Sequence, residues 1–225
     1  MATPLAGAAP AFAFGEADLQ AKLTHEMRLA GPASGAHVRD LDSGQELFTL
    51  RENVARIPAS VEKLYTTASA LLRFGASATL DTKAVTDAGG HVDAFGVLHG
   101  DLVLVGAGDP FFGDVSAGRL AHAVRAAGIV RIGGAVVGDE SGFDERRSGR
   151  SAGYDFELGG VLSALAYDRG IFRGRGRLDA ARFAATRFAA QLCTARVCTP
   201  AASRAGTAPP GARRIAAVPS PRVGG

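Results

Sequence analysis

The sequence is short of several things, and each shortage narrows the choices. No run reaches the ~18 uninterrupted apolar residues of a membrane-crossing helix, so no transmembrane segment is expected. Cysteine occurs only at Cys193 and Cys198, in CTARVC. This is not CxxC, there is no second pair, and zinc is not expected. The histidines at 25, 37, 91, 99 and 122 lack metal-ligand spacing. Gly106-Ala107-Gly108 begins like a dinucleotide fingerprint, but Phe111 stands where the last glycine belongs. No metal and no cofactor are therefore expected. No internal repeat is evident. Lysine is confined to Lys22, Lys63 and Lys83 against 22 arginines, and the one asparagine is Asn53.

What is present reads as a folded protein. Apolar residues make up 47% of 225 and charged residues 21%, a globular balance with enough chain for one large domain or two modest ones. Charge is uneven. From Ala166 onward there are eleven arginines against Asp168 and Asp179, so a basic tail follows an acidic body. Such a tail suggests a polyanion partner, and the plainer reading is a solvated, arginine-decorated surface. The tract from Phe172 to Arg177 is one short Arg-Gly copy with a single aromatic, and nucleic acid is not expected as a partner. Ala11-Phe12-Ala13 fits a small-residue cleavage site, but no Lys or Arg precedes Lys22, so the start is at best the stub of an export signal. Cys193 and Cys198 can close a small loop in an oxidising compartment; reduced, they are two small hydrophobes.

Leu19, Leu23 and Met27 recur at helical spacing before Gly31-Pro32, predicting a helix from Glu16 to Leu29. Two extended runs flank Asp42-Ser43-Gly44, a hairpin signal. A helix is expected from about Ala59 to Phe74, with Pro58 at its start and Gly75 past its end. Beyond Gly75 the pattern shifts to short strands (79–85, 96–98, 102–105), a helix over 118–127, a strand over 135–137 and a helix over 179–192. From Thr199 it loosens into Ala, Gly and Pro. The class is α+β.

The chemistry-bearing stretch is PASVEKLYT, residues 58–66, in which Ser60 and Lys63 stand three apart. On a helix such residues are neighbours, so a hydroxyl and an amine come within reach. A serine needs an adjacent base to act as a nucleophile, and lysine serves when its pKa is lowered. The bland alternative is an N-cap serine with a surface lysine. A capping box would place Glu or Gln where Lys63 stands, and a cation at a helix start costs about 0.3–1 kcal/mol, too little to decide. Val61, Leu64, Tyr65, Ala68, Leu71 and Leu72 form a stripe expected to face a core, with Ser60, Lys63 and Thr67 beside it.

The hairpin VRDLDSGQELFTL followed by IPASVEKLYTTASAL resembles the opening of the penicillin-binding fold. GVLHGDLVLVGAGDP (96–110), VVGDESGFD (136–144), LSALAYDRG (162–170) and VPSP (218–221) are similar, in order, to signatures of the D-alanyl-D-alanine carboxypeptidase/endopeptidase family of the penicillin-binding protein 4 type. The resemblance implies a partial β-lactamase/transpeptidase-like fold with a strand-rich inserted domain. It divides the chain into 1–78, the N-terminal part with the SxxK helix; 79–205, the insertion; and 206–225, a return segment. It further implies that Ser60 attacks the penultimate D-Ala carbonyl of a peptidoglycan peptide, that Lys63 takes the proton, and that β-lactams trap the acyl-enzyme. The place of work would be exported, periplasmic or cell-wall associated.

The family's SxN and KTG motifs are absent, since the lone asparagine precedes Ser60 and no KTG occurs. Substrate-binding residues are thus unknown, and Arg147-Ser148-Gly149 is read as a loop. The expectation is a truncated, poorly active or inactive enzyme piece. The alternative is a non-catalytic fragment that binds the cell envelope.

Overall fold

The computed structural model describes residues 15–86, 89–147 and 160–222. Ala11–Ala13 of the suggested cleavage site, and Ser148 and Gly149 of the KTG-like triplet, lie outside them. The chain divides into two compact units after Leu64.

The first unit starts with helix α1 (Glu16–Leu29), whose acidic first turn and Arg28 in the last turn complement the helix dipole. Gly31, at φ +84°, ends it. Strands β1 (Ala36–Arg39) and β2 (Glu46–Leu50) pair antiparallel. The expected turn is held by the Asp40 carboxylate, which accepts the N–H groups of Asp42 and Ser43 at 2.9 and 2.7 Å; Gly44 supplies φ +74°. A 3-10 turn (Ala59–Val61) then leads into helix α2 (Glu62–Phe74), in which the unit boundary falls. No described residue before Thr82 is fully buried.

The second unit holds strands β3 (Asp81–Thr86), β4 (His91–Val92), β5 (Val97–His99), β6 (Leu102–Val105), β7 (Arg131–Ile132), β8 (Val136–Asp139), β9 (Ile171–Phe172), β10 (Arg175–Gly176), β11 (Arg204–Ala205) and β12 (Arg213–Pro219). Its helices are α3 (Asp114–Ala126) and α4 (Ala180–Thr194). The main sheet runs β11-β8-β6-β3-β12. In it β8 is parallel to both β11 and β6, with α3 and α4 in the crossovers, while β3 is antiparallel to both β6 and β12.

Alternation builds two cores. Ala84, Leu102, Leu104 and Val136 join the residues of α3 and α4 on one face. Val85, Val103 and Val137 point the other way, against Ala208 and Ala212. The tail from Thr199, expected to be loose, instead supplies β12, which runs along β3 from Arg213 opposite Thr86 to Pro219 opposite Asp81. RRIAAVP has no clean apolar alternation because β12 is an edge strand, buried at Val218 and largely open before it.

Gly138 lets β8 and α4 touch: a Cβ there would overlap the carbonyl oxygen of Ala181. Gly138→Ala is therefore expected to cost about 1–3 kcal/mol, read as a lower urea midpoint with an unchanged slope.

Cys193, in the last turn of α4, bonds to Cys198 with their Cα atoms 4.4 Å apart. The bridge spans a Schellman turn, in which Val197 N–H donates to Leu192 O at 2.8 Å and Arg196 N–H to Cys193 O at 2.9 Å. Arg196 occupies the left-handed position, at φ +62°, where glycine is the usual residue. Closing this short loop restricts the unfolded chain by about 2 kcal/mol. A Cys193→Ser/Cys198→Ser variant should lose that amount in denaturant unfolding; an unchanged midpoint would refute a structural role for the bridge.

Candidate active site

The approach to Ser60 is stitched down by two arginines. Arg51 donates to Pro32 O at 2.5 Å and to Gly31 O at 3.1 Å. Arg56 donates to Ala33 O at 2.8 Å and Ser34 O at 3.1 Å, and also to Arg51 O and Val54 O. The loop after α1 and the segment before Pro58 are thus held together by guanidinium forks on backbone carbonyls. No periodicity marks these arginines in the sequence, because the carbonyls they clasp in the loop after α1 are 19 to 23 residues away.

Ala59 has φ +49°, a left-handed conformation that disfavours side chains. It turns the chain tightly, so Ser60 lies in a 3-10 turn and the α-helix starts only at Glu62, not at Ala59 as expected. The 3-10 geometry brings residues three apart into register, and Lys63 Nζ donates to Ser60 Oγ at 3.4 Å. The predicted pair is therefore brought together, on an exposed turn. The Ser60 N–H, at the start of the turn, donates to no acceptor among the described residues. A hydroxyl beside an amine, with a free amide on the same residue, has the parts for attack on a carbonyl and for holding its oxygen.

The stripe expected to face a core is uncovered: Leu64 is 68% and Leu72 89% exposed, and no residue of α2 is buried. The helical period identified an apolar face; it could not say whether these residues themselves bury it.

The other signature segments meet one another inside the second unit. Gly108 N–H donates to Ala164 O at 2.7 Å, Gly106 N–H to Asp139 O at 3.1 Å, and Phe143 lies over Gly108. Arg147 forms a bidentate pair with Glu140 at 2.6 and 2.7 Å, and Ser163 Oγ donates to the same carboxylate at 2.5 Å. These segments border a cavity of about 130 Å³ that includes Asp109, Phe143, Ser163 and Arg169. Burial raises the pKa of Asp109, against a smaller opposing effect of the Phe111 N–H. Asp114 accepts from Tyr167, Arg187 and Gln191; the Tyr167 bond is the main cause of its lowered pKa. Among the described residues no group of three His, Cys, Asp or Glu is placed to hold a metal ion, and no helix is long and apolar enough to cross a membrane.

Residues 16–158 match the D-Ala-D-Ala carboxypeptidase 3 (S13) family. A D-alanyl-D-alanine carboxypeptidase of Actinomadura sp. (strain R39) is 32% identical over 123 residues, 53% of this chain and 22% of that protein. A carboxypeptidase of Mycobacterium tuberculosis is 34% identical over 104 residues, 41% of this chain and 21% of the relative. The chain thus aligns with about a fifth of the length of these relatives. In fold it is similar to penicillin binding protein 4 of Haemophilus influenzae, with a TM-score of 0.68 at 15% identity, covering 89% of this chain and 60% of the other. The same protein complexed with a β-lactam gives 0.57 at 14% identity, over 88% and 57%.

Proposed function

The chain belongs to the D-Ala-D-Ala carboxypeptidase 3 (S13) family, and from that premise we propose that Ser60 is the acylated nucleophile and Lys63 its base. Lys63 Nζ takes the Ser60 hydroxyl proton as Oγ bonds to the carbonyl carbon of the penultimate D-Ala. The peptide C–N bond then breaks, and the proton passes to the leaving amine of the terminal D-Ala. Water attacks the ester, releases the shortened peptide and restores Ser60 Oγ–H. The free Ser60 N–H is one donor to the developing oxyanion. When the leaving amine belongs to a neighbouring peptide, the same steps cut a crosslink. A β-lactam enters as a cyclic amide whose opened ring stays tethered to the acyl group. The substrate places the protein outside the cytoplasm, at the cell wall.

The single observation that carries this reading is the 3.4 Å approach of Lys63 Nζ to Ser60 Oγ on an exposed turn behind a left-handed Ala59. In the proposed organisation, residues 1–78 are part of a transpeptidase-like domain, 79–205 an insertion, and 206–225 a return, in which β12 closes the inserted sheet against β3. The exposed stripe of α2 is the face such a domain buries. These 225 residues would be the piece of the enzyme that carries the nucleophile, with SxN and KTG supplied from outside them.

Prolonged incubation with a fluorescent penicillin, followed by digestion and mass spectrometry, tests the assignment. A single adduct on the peptide bearing Ser60, absent after heat denaturation, is the expected result. An adduct elsewhere, or none, would favour a non-catalytic envelope-binding fragment.

A further inference from the structure

The basic tail is ordered into a strip that the acyl-transfer reading does not use. Phe112, Tyr167, Phe183 and Phe172 form a chain of rings with centroids 5.7, 6.2 and 5.4 Å apart, running from the core to the surface. Three guanidinium groups lie on it: Arg187 over Tyr167 at 5.4 Å, Arg177 over Phe183 at 5.2 Å and Arg173 over Phe172 at 5.2 Å. Stacking fixes the plane of each guanidinium and leaves its N–H edge free to bond outward.

The strip is charge-satisfied at one end and open at the other. Arg187 pairs with Asp114 at 3.0 Å, and Arg177 and Arg182 share Asp179 at 3.1 and 2.8 Å. Arg169, Arg173 and Arg175 are exposed and have no carboxylate partner among the described residues. Arg173 and Arg175 flank the tip of the β9–β10 hairpin, where Arg173 and Gly174 adopt φ +52° and +74°. A tight turn therefore presents two arginines without a carboxylate partner among the described residues, one of which, Arg173, is held over the Phe172 ring.

We propose that this hairpin and the start of α4 are a docking surface for a linear phosphodiester polymer of the cell wall. Guanidinium forks match phosphate oxygens bidentately. Nucleic acid fits less well: Phe172, 38% exposed, already has a guanidinium over its ring, and Tyr167 is buried, so no free aromatic platform is offered to a base. The choice of a wall polymer as the source rests on the peptidoglycan reading of Ser60; the strip itself does not.

The test is binding of the 225-residue chain to poly(glycerol phosphate), followed by fluorescence anisotropy across a salt series. Arg173→Gln/Arg175→Gln should weaken binding at least about tenfold at roughly 50 mM salt and flatten the log–log salt slope by roughly 0.7–0.9 per lost phosphate contact. Arg28→Gln/Arg119→Gln removes the same charge elsewhere and should change affinity less than about twofold. Equal weakening by the two variants would overturn the proposal in favour of general charge attraction. Competition by a neutral chitin oligomer, or displacement of the polymer by less duplex DNA than poly(glycerol phosphate), would overturn it too. Penicillin labelling and polymer binding of the unsubstituted chain separate the two readings. Polymer binding without labelling defeats the Ser60 assignment alone, and labelling without polymer binding defeats this one alone.

Discussion

Ser60→Ala is expected to abolish covalent labelling by penicillin, and Lys63→Ala to slow it about 10²–10⁴-fold without abolishing it. The asymmetry follows from chemistry. Without Oγ no ester forms. Without Nζ the hydroxyl persists but loses the amine 3.4 Å away. Both side chains are exposed and neither belongs to a core, so the two variants should unfold at the same denaturant concentration as the parent chain. Ala59→Gly adds a check on the turn. Glycine adopts φ +49° without penalty, so labelling should persist with stability unchanged or slightly raised. Full labelling of Ser60→Ala, or an undiminished rate for Lys63→Ala, would remove the acyl-enzyme assignment.

The second large effect concerns turnover. The 225-residue polypeptide is expected to release D-Ala from a D-Ala-D-Ala peptide at least about 10³-fold more slowly than a full-length relative. In the family resemblance three elements converge on the reaction: the SxxK pair, SxN for proton relay, and a KTG strand that clamps the substrate carboxylate and gives the second oxyanion donor. Only the first occurs in these residues. One missing oxyanion donor costs about 10²–10³ in rate, and an unclamped substrate loses orientation as well. The open apolar face of α2 has a physical corollary: Val61, Leu64, Tyr65 and Leu72 in contact with water make the purified polypeptide prone to self-association. Turnover within about tenfold of the relative would show that the missing motifs are not needed.

The order of the signature segments pointed to the family because a motif is a local string. Their meeting around Gly106, Gly108 and Ala164 was not visible, since it depends on β6, β8 and a loop some twenty residues beyond β8 being assembled first. The paired cysteines were suggested by proximity, and the Schellman turn beneath them shows why that proximity bridges.

By itself the sequence determined what short-range interactions determine: α1 and its ends, the turn at Asp42-Ser43-Gly44, the three-residue spacing of Ser60 and Lys63, and the α+β class. Each follows from backbone preferences and side-chain periods that act within a few residues. Tertiary structure decided the rest. It made a strand of Arg213–Pro219 by offering the free edge of β3, and buried β6 on both faces. It set the left-handed Ala59 behind segments clasped by Arg51 and Arg56, and stacked the arginines of the basic tail on a row of aromatic rings. These features join residues that are distant in the chain, so their energies arise only once the chain has closed on itself, and no local pattern records them.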